Sequence, residues 1–311
     1  MKKVSIIIPC HNEQGNIASL YRALATLMDS ESGYEWEIII VNDGSTDNTL
    51  LEVKQLRAAD SRVCYIDLSR NFGKENAMLA GFDHATGHCA VVMDADLQDP
   101  PEVVSQMLRA WEEGYDDIFA RRTDRGKESI VRKTLTRQYY RLLQRIAKID
   151  VLPDVGDFRL LDSKCIDALR QLRETQRYTK GIYCWIGYRK KEILFQRGSR
   201  TTGQSSFNTL RLFNLAIEGI TSYTTSPLRL STVFGIIVSV VAFIYMCYFL
   251  IKTIIYGDPV QGFPTLIIVI LFLGGIQLLS LGIIGEYLGR IFYETKQRPV
   301  YLIREKQGFT N

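Results

Sequence analysis

The chain has 311 residues, 46% of them hydrophobic, and a formal net charge of +4. That length exceeds one small domain, and the charge is too mild to single out a partner, so the distribution of residues has to carry the reading. The six cysteines (Cys10, Cys64, Cys89, Cys165, Cys184 and Cys247) form no Cys-x-x-Cys pair and read as reduced packing residues of a cytosolic domain.

The first apolar run, residues 4–8, is too short for a cleavable signal and ends at Pro9, so the amino terminus is expected to stay in the cytosol. Short β-branched runs at 4–8, 37–41, 63–67, 89–93 and 117–120 are separated by amphipathic segments such as 16–28 and 49–58. That alternation predicts parallel β-α units around one sheet. Ligands bind such sheets at the carboxyl ends of strands. There the sequence turns polar: Pro9-Cys10-His11-Asn12-Glu13, then Asn42-Asp43-Gly44-Ser45-Thr46-Asp47, then Asp94-Ala95-Asp96-Leu97-Gln98-Asp99. The first turn lacks Gly-x-Gly-x-x-Gly, and no Gly-x-x-x-x-Gly-Lys-Ser/Thr occurs, which disfavours a dinucleotide fold and a P-loop nucleotidase.

Asp94 and Asp96 end a strand two residues apart and can bend toward one hard cation, Mg²⁺ or Mn²⁺, with Gln98 adding a carbonyl oxygen. The plainer alternative is loop solvation, with Asp99 capping a helix that starts through Pro100, Pro101 and Glu102. Asp43 can accept hydrogen bonds from a base or ribose, or simply belong to a turn before an Asp-capped helix. Arg70-Asn71-Phe72-Gly73-Lys74 places two cations around a glycine, suited to phosphates, although each alone reads as a surface charge.

Further along, Arg121 and Arg122 follow a strand, and Arg197-Gly-Ser-Arg200-Thr-Thr-Gly203-Gln-Ser205-Ser206 suits a phosphate-binding loop. Arg122, Arg200 and Ser205 are the candidates for acceptor or diphosphate contacts. Residues 129–148 carry six cations, no acid and apolar residues at helical spacing, as expected of a helix lying on anionic headgroups. Nucleic acid could attract the same stripe, but the neighbouring apolar segments make lipid the simpler partner. Residues 207–228 form a second amphipathic stretch, which core packing explains almost as well. No charge occurs in 233–251 or 261–285, so two membrane helices are expected at about 233–251 and 264–285, joined by a turn around Gly257, Asp258 and Pro259. Arg229 before them, and Arg290, Lys296, Arg298, Arg304 and Lys306 after, place both chain ends in the cytoplasm; Lys252 argues weakly against this. The expected organisation is a catalytic domain at 1–206, a juxtamembrane helix at 207–228, a hairpin at 229–290 and a basic tail at 291–311.

Taken together, the segments 9–13, 42–47, 70–74 and 94–101 resemble the motif series of family 2 glycosyltransferases with the GT-A fold. They are most similar to the polyisoprenyl-phosphate branch, which includes dolichol-phosphate mannose synthases and the bactoprenol glucosyltransferases, which also end in two membrane spans. The resemblance implies an α/β, Rossmann-like, mostly parallel sheet followed by interfacial helices and a transmembrane hairpin. It implies inverting transfer of one sugar from a nucleotide donor to polyprenyl phosphate at the cytoplasmic face of the inner membrane. By the same resemblance, Asp96 binds the metal and the donor diphosphate, helped by Asp94 and Gln98, while Pro9, Asn12, Glu13, Asp43 and Lys74 form the nucleotide-sugar pocket.

Gly156-Asp157-Phe158-Arg159-Leu160 resembles the segment that supplies an acidic residue to the acceptor site, which makes Asp157 the catalytic candidate beside Asp96. A phosphate monoester already carries much of its charge at neutral pH, so Asp157 can orient rather than deprotonate. Asn42 and His11 stand where many relatives carry Asp and Tyr, which bears on the donor base. The likeness favours UDP-glucose, with GDP-mannose or a UDP-aminoarabinose type as alternatives, and a homo-oligomer, a tetramer in similar proteins. A processive synthase would carry Gln-x-x-Arg-Trp, absent here. A non-catalytic nucleotide-sugar scaffold would be expected to lose Asp96 or the cations first.

Overall fold

The computed structural model describes residues 1–123, 155–175, 177–195, 226–256 and 262–309. The chain divides into two compact units, one formed by Met1–Leu212 with Pro299–Asn311, the other by Phe213–Arg298.

The first unit is built on an eight-stranded sheet. In chain order its strands are β1 (Lys2–Cys10), β2 (Tyr34–Asn42), β3 (Val63–Leu68), β4 (Cys89–Val92), β5 (Asp117–Arg122), β6 (Val155–Asp162), β7 (Lys190–Phe195) and β8 (Ile303–Gln307). Their spatial order is β7-β5-β6-β4-β1-β2-β3-β8. The centre, β4-β1-β2-β3, is parallel throughout. Strand β6 runs antiparallel between β4 and β5, and β5 pairs in parallel with β7.

The apolar runs of β1 and β2 are continuous because both faces are covered. Ile6, Ile8, Ile38 and Ile40 pack into one core layer, and Ile7, Ile39 and Val41 into the other. Alternate side chains of a strand point to opposite faces, so each run serves both layers. Helices α1 (Ile17–Ser30) and α4 (Glu102–Glu112) cover the first layer through residues such as Leu20, Leu24, Val104 and Met107. Helices α3 (Lys74–His84) and α5 (Ser163–Gln171) cover the second through Ala77, Met78, Phe82, Ile166 and Leu169. Gly81 of α3 lies so close to Ile7 that a Cβ there would collide with the Ile7 side chain. Helices α2 (Thr49–Ala59) and α6 (Thr179–Trp185) complete the described part of this unit. The cysteines are free and four of them are buried, as packing residues would be.

The five expected strands and both amphipathic helices are present, with β6, β7 and β8 in addition. Residues 291–311, read from sequence as a basic tail, contain β8, which pairs antiparallel with β3. Glu305 of β8 receives Lys54 at 2.6 Å and the Tyr65 hydroxyl at 2.5 Å, while Arg304 reaches the buried Asp67 at 3.3 Å.

The second unit contains α7 (Ser226–Tyr256) and α8 (Phe263–Thr295), of 31 and 33 residues. At 1.5 Å per residue these are roughly 46 and 50 Å long, enough to cross a ~30 Å hydrocarbon layer. The Ser231 and Ser280 hydroxyls join them at 2.8 Å. Phe272–Thr295 is long and apolar enough to span a membrane, and Ser231–Tyr245 is a shorter apolar stretch, among the described residues. The basic segment 129–148, residues 207–225, and Arg200 and Ser205 lie outside the described residues.

Candidate active site

The carboxyl ends of β1, β2 and β4 open on a cleft of about 340 Å³, within the size range of small-molecule sites. Pro9, His11 and Glu13 line it after β1, Asp43 after β2, Gly73 and Lys74 at the start of α3, and Asp94 and Asp96 after β4.

Lys74 is the centre of the charge arrangement. Its ammonium lies 2.6 Å from Asp94 and 2.7 Å from Asp157, which β6 brings in from the neighbouring strand. Burial alone would lower the Lys74 pKa, but Asp157 and Asp94 override it and hold the group charged well above the ordinary lysine range. Burial likewise works to raise Asp157, yet Lys74 and Lys180 keep its carboxyl below the usual value. A carboxylate so held is a poor proton acceptor at neutral pH, and its Oδ1 has no hydrogen-bond partner among the described residues.

Asp43 does more for the cleft wall than the sequence suggests. Its two carboxylate oxygens accept the Phe72 N–H at 2.7 Å and the Gly73 N–H at 2.9 Å, and the side chain is almost fully buried. These bonds draw the 70–74 loop against the turn after β2. There Gly44, at φ +61°, leaves no room for a Cβ against the Arg70 and Asn71 backbone. Asp47 accepts the Thr49 N–H at 3.0 Å just before α2, but the N-cap of that helix is Asn48, without a side-chain bond.

Asn12 sits at φ +56°, a conformation asparagine tolerates better than most residues. Its Oδ1 accepts the Thr46 N–H at 2.8 Å and its own N–H donates to Ser45 at 2.9 Å, tying the first two strand-end loops together. Leu97, between Asp96 and Gln98, has the same unusual φ. Such strain gathers where structure over-determines a site.

Glu13 lies near the Asp94–Asp96 pair. Burial raises its pKa, Asn16 at 2.7 Å offsets part of this, and the charges of Asp96 and Asp94 add to the rise. Asp99 is buried and, chiefly through desolvation and then Asp94, pushed up to about 6. It does not cap α4, whose N-cap is Pro101 without a side-chain bond, so the capping alternative fails for Asp99.

Asn42 is buried behind the cleft, donating to Asp67 at 2.7 Å, and is not among the lining residues. His11 lines the cleft, with Nδ1 2.8 Å from the Asp43 carbonyl. Of the two departures from the family pattern, only His11 faces the ligand space directly.

Residues 5–170 match the family model described as glycosyl transferase family 2, and residues 226–291 match the GtrB C-terminal hairpin. The chain is a family 2 glycosyltransferase. Its similarity extends over nearly its whole length. An uncharacterized glycosyltransferase of Synechocystis sp. is 42% identical over 98% of this chain and 96% of its own. The bactoprenol glucosyl transferase of Shigella phage SfX is 39% identical over 98% of this chain and all of its own. Among solved structures, glucosyl-3-phosphoglycerate synthase from Mycobacterium tuberculosis, in complex with Mn²⁺, UDP-glucose and phosphoglyceric acid, overlaps with a TM-score of 0.48. It is 17% identical and the match covers 71% of this chain and 78% of that one.

In this glycosyltransferase, then, the fold brings Pro9, Glu13, Asp43, Lys74, Asp94 and Asp96 to one cleft, with Asp157 in contact through Lys74. Gln98 does not line it; its side chain is 2% exposed and its Oε1 has no partner among the described residues. Among the described residues no cluster of three or more His, Cys, Asp or Glu forms a self-contained metal site. Two carboxylates on one cleft wall do suit a hard divalent cation that completes its shell with substrate oxygens. Arg122 ends β5 and acts on Asp99 rather than lining the cleft.

Sequence reasoning missed the Glu75–Thr179 contact and Lys180. Thr179-Lys180-Gly181 follows no strand and carries no motif-like spacing, so nothing in the sequence singled it out.

Proposed function

We propose that this glycosyltransferase moves a single glucose, with inversion, from UDP-glucose to polyprenyl phosphate at the cytoplasmic face of a membrane. The observation that carries the reading is full-length similarity, hairpin included, to a bactoprenol glucosyl transferase, joined to a cleft with the acidic and basic groups such a transfer needs.

In this reading Asp94 and Asp96 hold Mg²⁺ or Mn²⁺ together with the donor diphosphate, and the buried Gln98 supports the turn between them and α4. The bound cation supplies charge neutralisation for the leaving diphosphate. Pro9, Asn12, Glu13 and Asp43 shape the nucleotide pocket, Asn12 and Asp43 through the loops they brace. Lys74 approaches the phosphates from the α3 start. The acceptor's phosphate oxygen attacks the anomeric carbon as the diphosphate departs on the opposite side. Asp157, ionised and held by lysines, orients that acceptor and has no proton to remove. Arg200 and Ser205 complete the phosphate contacts, with Arg122 adding its charge from beside Asp99.

The membrane arrangement has topological support. The hairpin is flanked on both sides by segments of the same compact unit, since β8 after it pairs with β3 before it. A hairpin entering the bilayer must therefore return to the side it left, which favours two spans and both termini in the cytoplasm. Gly274, Gly275, Gly282, Gly285 and Gly289 of α8 have open space beside them, consistent with packing between copies in a homo-oligomer, for which we favour a tetramer.

The test is to incubate the purified full chain with Mg²⁺ or Mn²⁺, undecaprenyl phosphate and a panel of nucleotide sugars. Glucosyl-phosphate lipid is expected from UDP-glucose. A product from GDP-mannose alone would replace the donor, and intact nucleotide binding without product from any donor would replace the enzyme reading with a binding scaffold.

A further inference from the structure

Two anions, the donor diphosphate and an acceptor phosphate, have to come together beside the Asp157 carboxylate, and the cations around that carboxylate are unequally committed. Lys74, Lys180 and Arg159 all act on Asp157. Lys74 is held between Asp94 and Asp157. Arg159 forms a buried pair with Asp117 at 3.1 Å and stacks over the Tyr183 ring at 3.6 Å. Lys180, half-buried, has no hydrogen-bond or ion-pair partner among the described residues.

The position of Lys180 is built rather than incidental. The preceding residue, Thr179, is fully buried and gives both its N–H, at 2.6 Å, and its hydroxyl to the Glu75 carboxylate. Glu75 directly follows Lys74 in α3. One turn further along α6, Tyr183 lies under Arg159, two residues from Asp157 on β6. The short helix is thus fixed at one end to α3 and at the other to β6, so that Lys74 contacts Asp157 from α3 while the charge of Lys180 acts on it from α6.

Building on the transfer reading above, we propose that Lys180 holds the acceptor's phosphate monoester beside Asp157, and that the Glu75–Thr179 contact is the positioning device that sets it there. Lys74 then serves the donor side and Lys180 the acceptor side, with Asp157 between them keeping the two ammonium groups from repelling one another. The phosphate exchanges water for a charge-assisted contact with a lysine that needs no rearrangement of the existing ion pairs.

Farnesyl phosphate is the binding probe, titrated calorimetrically into the full detergent-solubilised chain, with UDP titrated in parallel and steady-state kinetics measured with undecaprenyl phosphate. Lys180→Met is expected to weaken farnesyl phosphate binding and raise the acceptor KM by about tenfold or more. It is expected to leave UDP affinity within about twofold, since a single phosphate contact on the acceptor side is what it removes. Lys180→Arg should restore most of the loss. Thr179→Ala should raise acceptor KM more than it lowers kcat, with Thr179→Ser restoring it; retained UDP binding reports that each variant is folded. Wild-type farnesyl phosphate affinity in Lys180→Met, an equal loss of UDP affinity, or no binding to the wild type would each overturn the assignment. Lys180-dependent binding without sugar transfer by the wild type would instead overturn the transfer reading and leave the phosphate site standing.

Discussion

Replacing Asp43 with alanine separates a bracing role from direct ligand contact. The carboxylate accepts two backbone N–H groups, from Phe72 and Gly73. Hydrogen bonds to a charged acceptor contribute about 1.5–3 kcal/mol each. The Gly73 N–H has a second acceptor in Asn71 Oδ1 at 2.9 Å, so only Phe72 is left wholly unpartnered. The expected loss is therefore that of about one such bond, roughly 1.5–3 kcal/mol. Asp43→Asn keeps one carbonyl oxygen and should lose roughly half as much. Urea unfolding of the full chain reads the stability, and UDP titration reads the site. Because the 70–74 loop positions Lys74, donor binding should weaken in step with stability across the two variants. An Asp43→Ala protein that unfolds at the wild-type urea concentration while losing UDP affinity would refute the bracing argument and return Asp43 to a ligand contact alone.

Asp96→Asn should lower kcat by roughly 10²–10³, as removal of one preorganised electrostatic contact does, and chelation should abolish transfer until Mg²⁺ or Mn²⁺ is restored. Asp157→Asn should leave the pH dependence of kcat between 6 and 8 in its wild-type form, because a carboxylate already held below its usual pKa does not titrate there; loss of an acidic limb in that window would restore it as a general base. Asp117→Ala leaves Arg159 buried without its partner and should destabilise the chain by about 3–5 kcal/mol, read as a urea midpoint shift. Ending the chain after residue 298 removes β8 and should lower Tm by roughly 5–10 °C, with aggregation through the uncovered β3 edge seen by light scattering.

The parallel half of the sheet was legible because Val4, Ile6–Ile8 and Ile38–Ile40 announce strands buried on both faces and break off into polar turns. The added strands lacked that signal. Strand β6 runs against its neighbours and carries Asp157 and Arg159 among apolar residues, so its sequence reads as a loop until Asp117 on β5 is known to neutralise the arginine. Strand β8, Ile-Arg-Glu-Lys-Gln, has four exposed residues of five and passes for a tail; an edge strand faces water and needs little apolar content. At the site, Asp94, Asp96 and Lys74 stood out by spacing at strand ends. Asp43 stood out for the right place, but its bracing of Phe72 and Gly73 depends on a contact across 29 residues that no local pattern encodes.

The pairing of β8 with β3 also imposes an order on biogenesis. Tyr65 and its partner Glu305 are separated by 240 residues. At 5–20 residues per second, roughly 10–50 s of translation pass between them. Throughout that interval the outer edge of β3 is open, and it closes only after both hairpin helices have been synthesised. Completion of the sheet therefore waits on a segment emerging after the hairpin. A chain that ends or stalls before this segment keeps an unpaired strand edge exposed to chaperones and proteases.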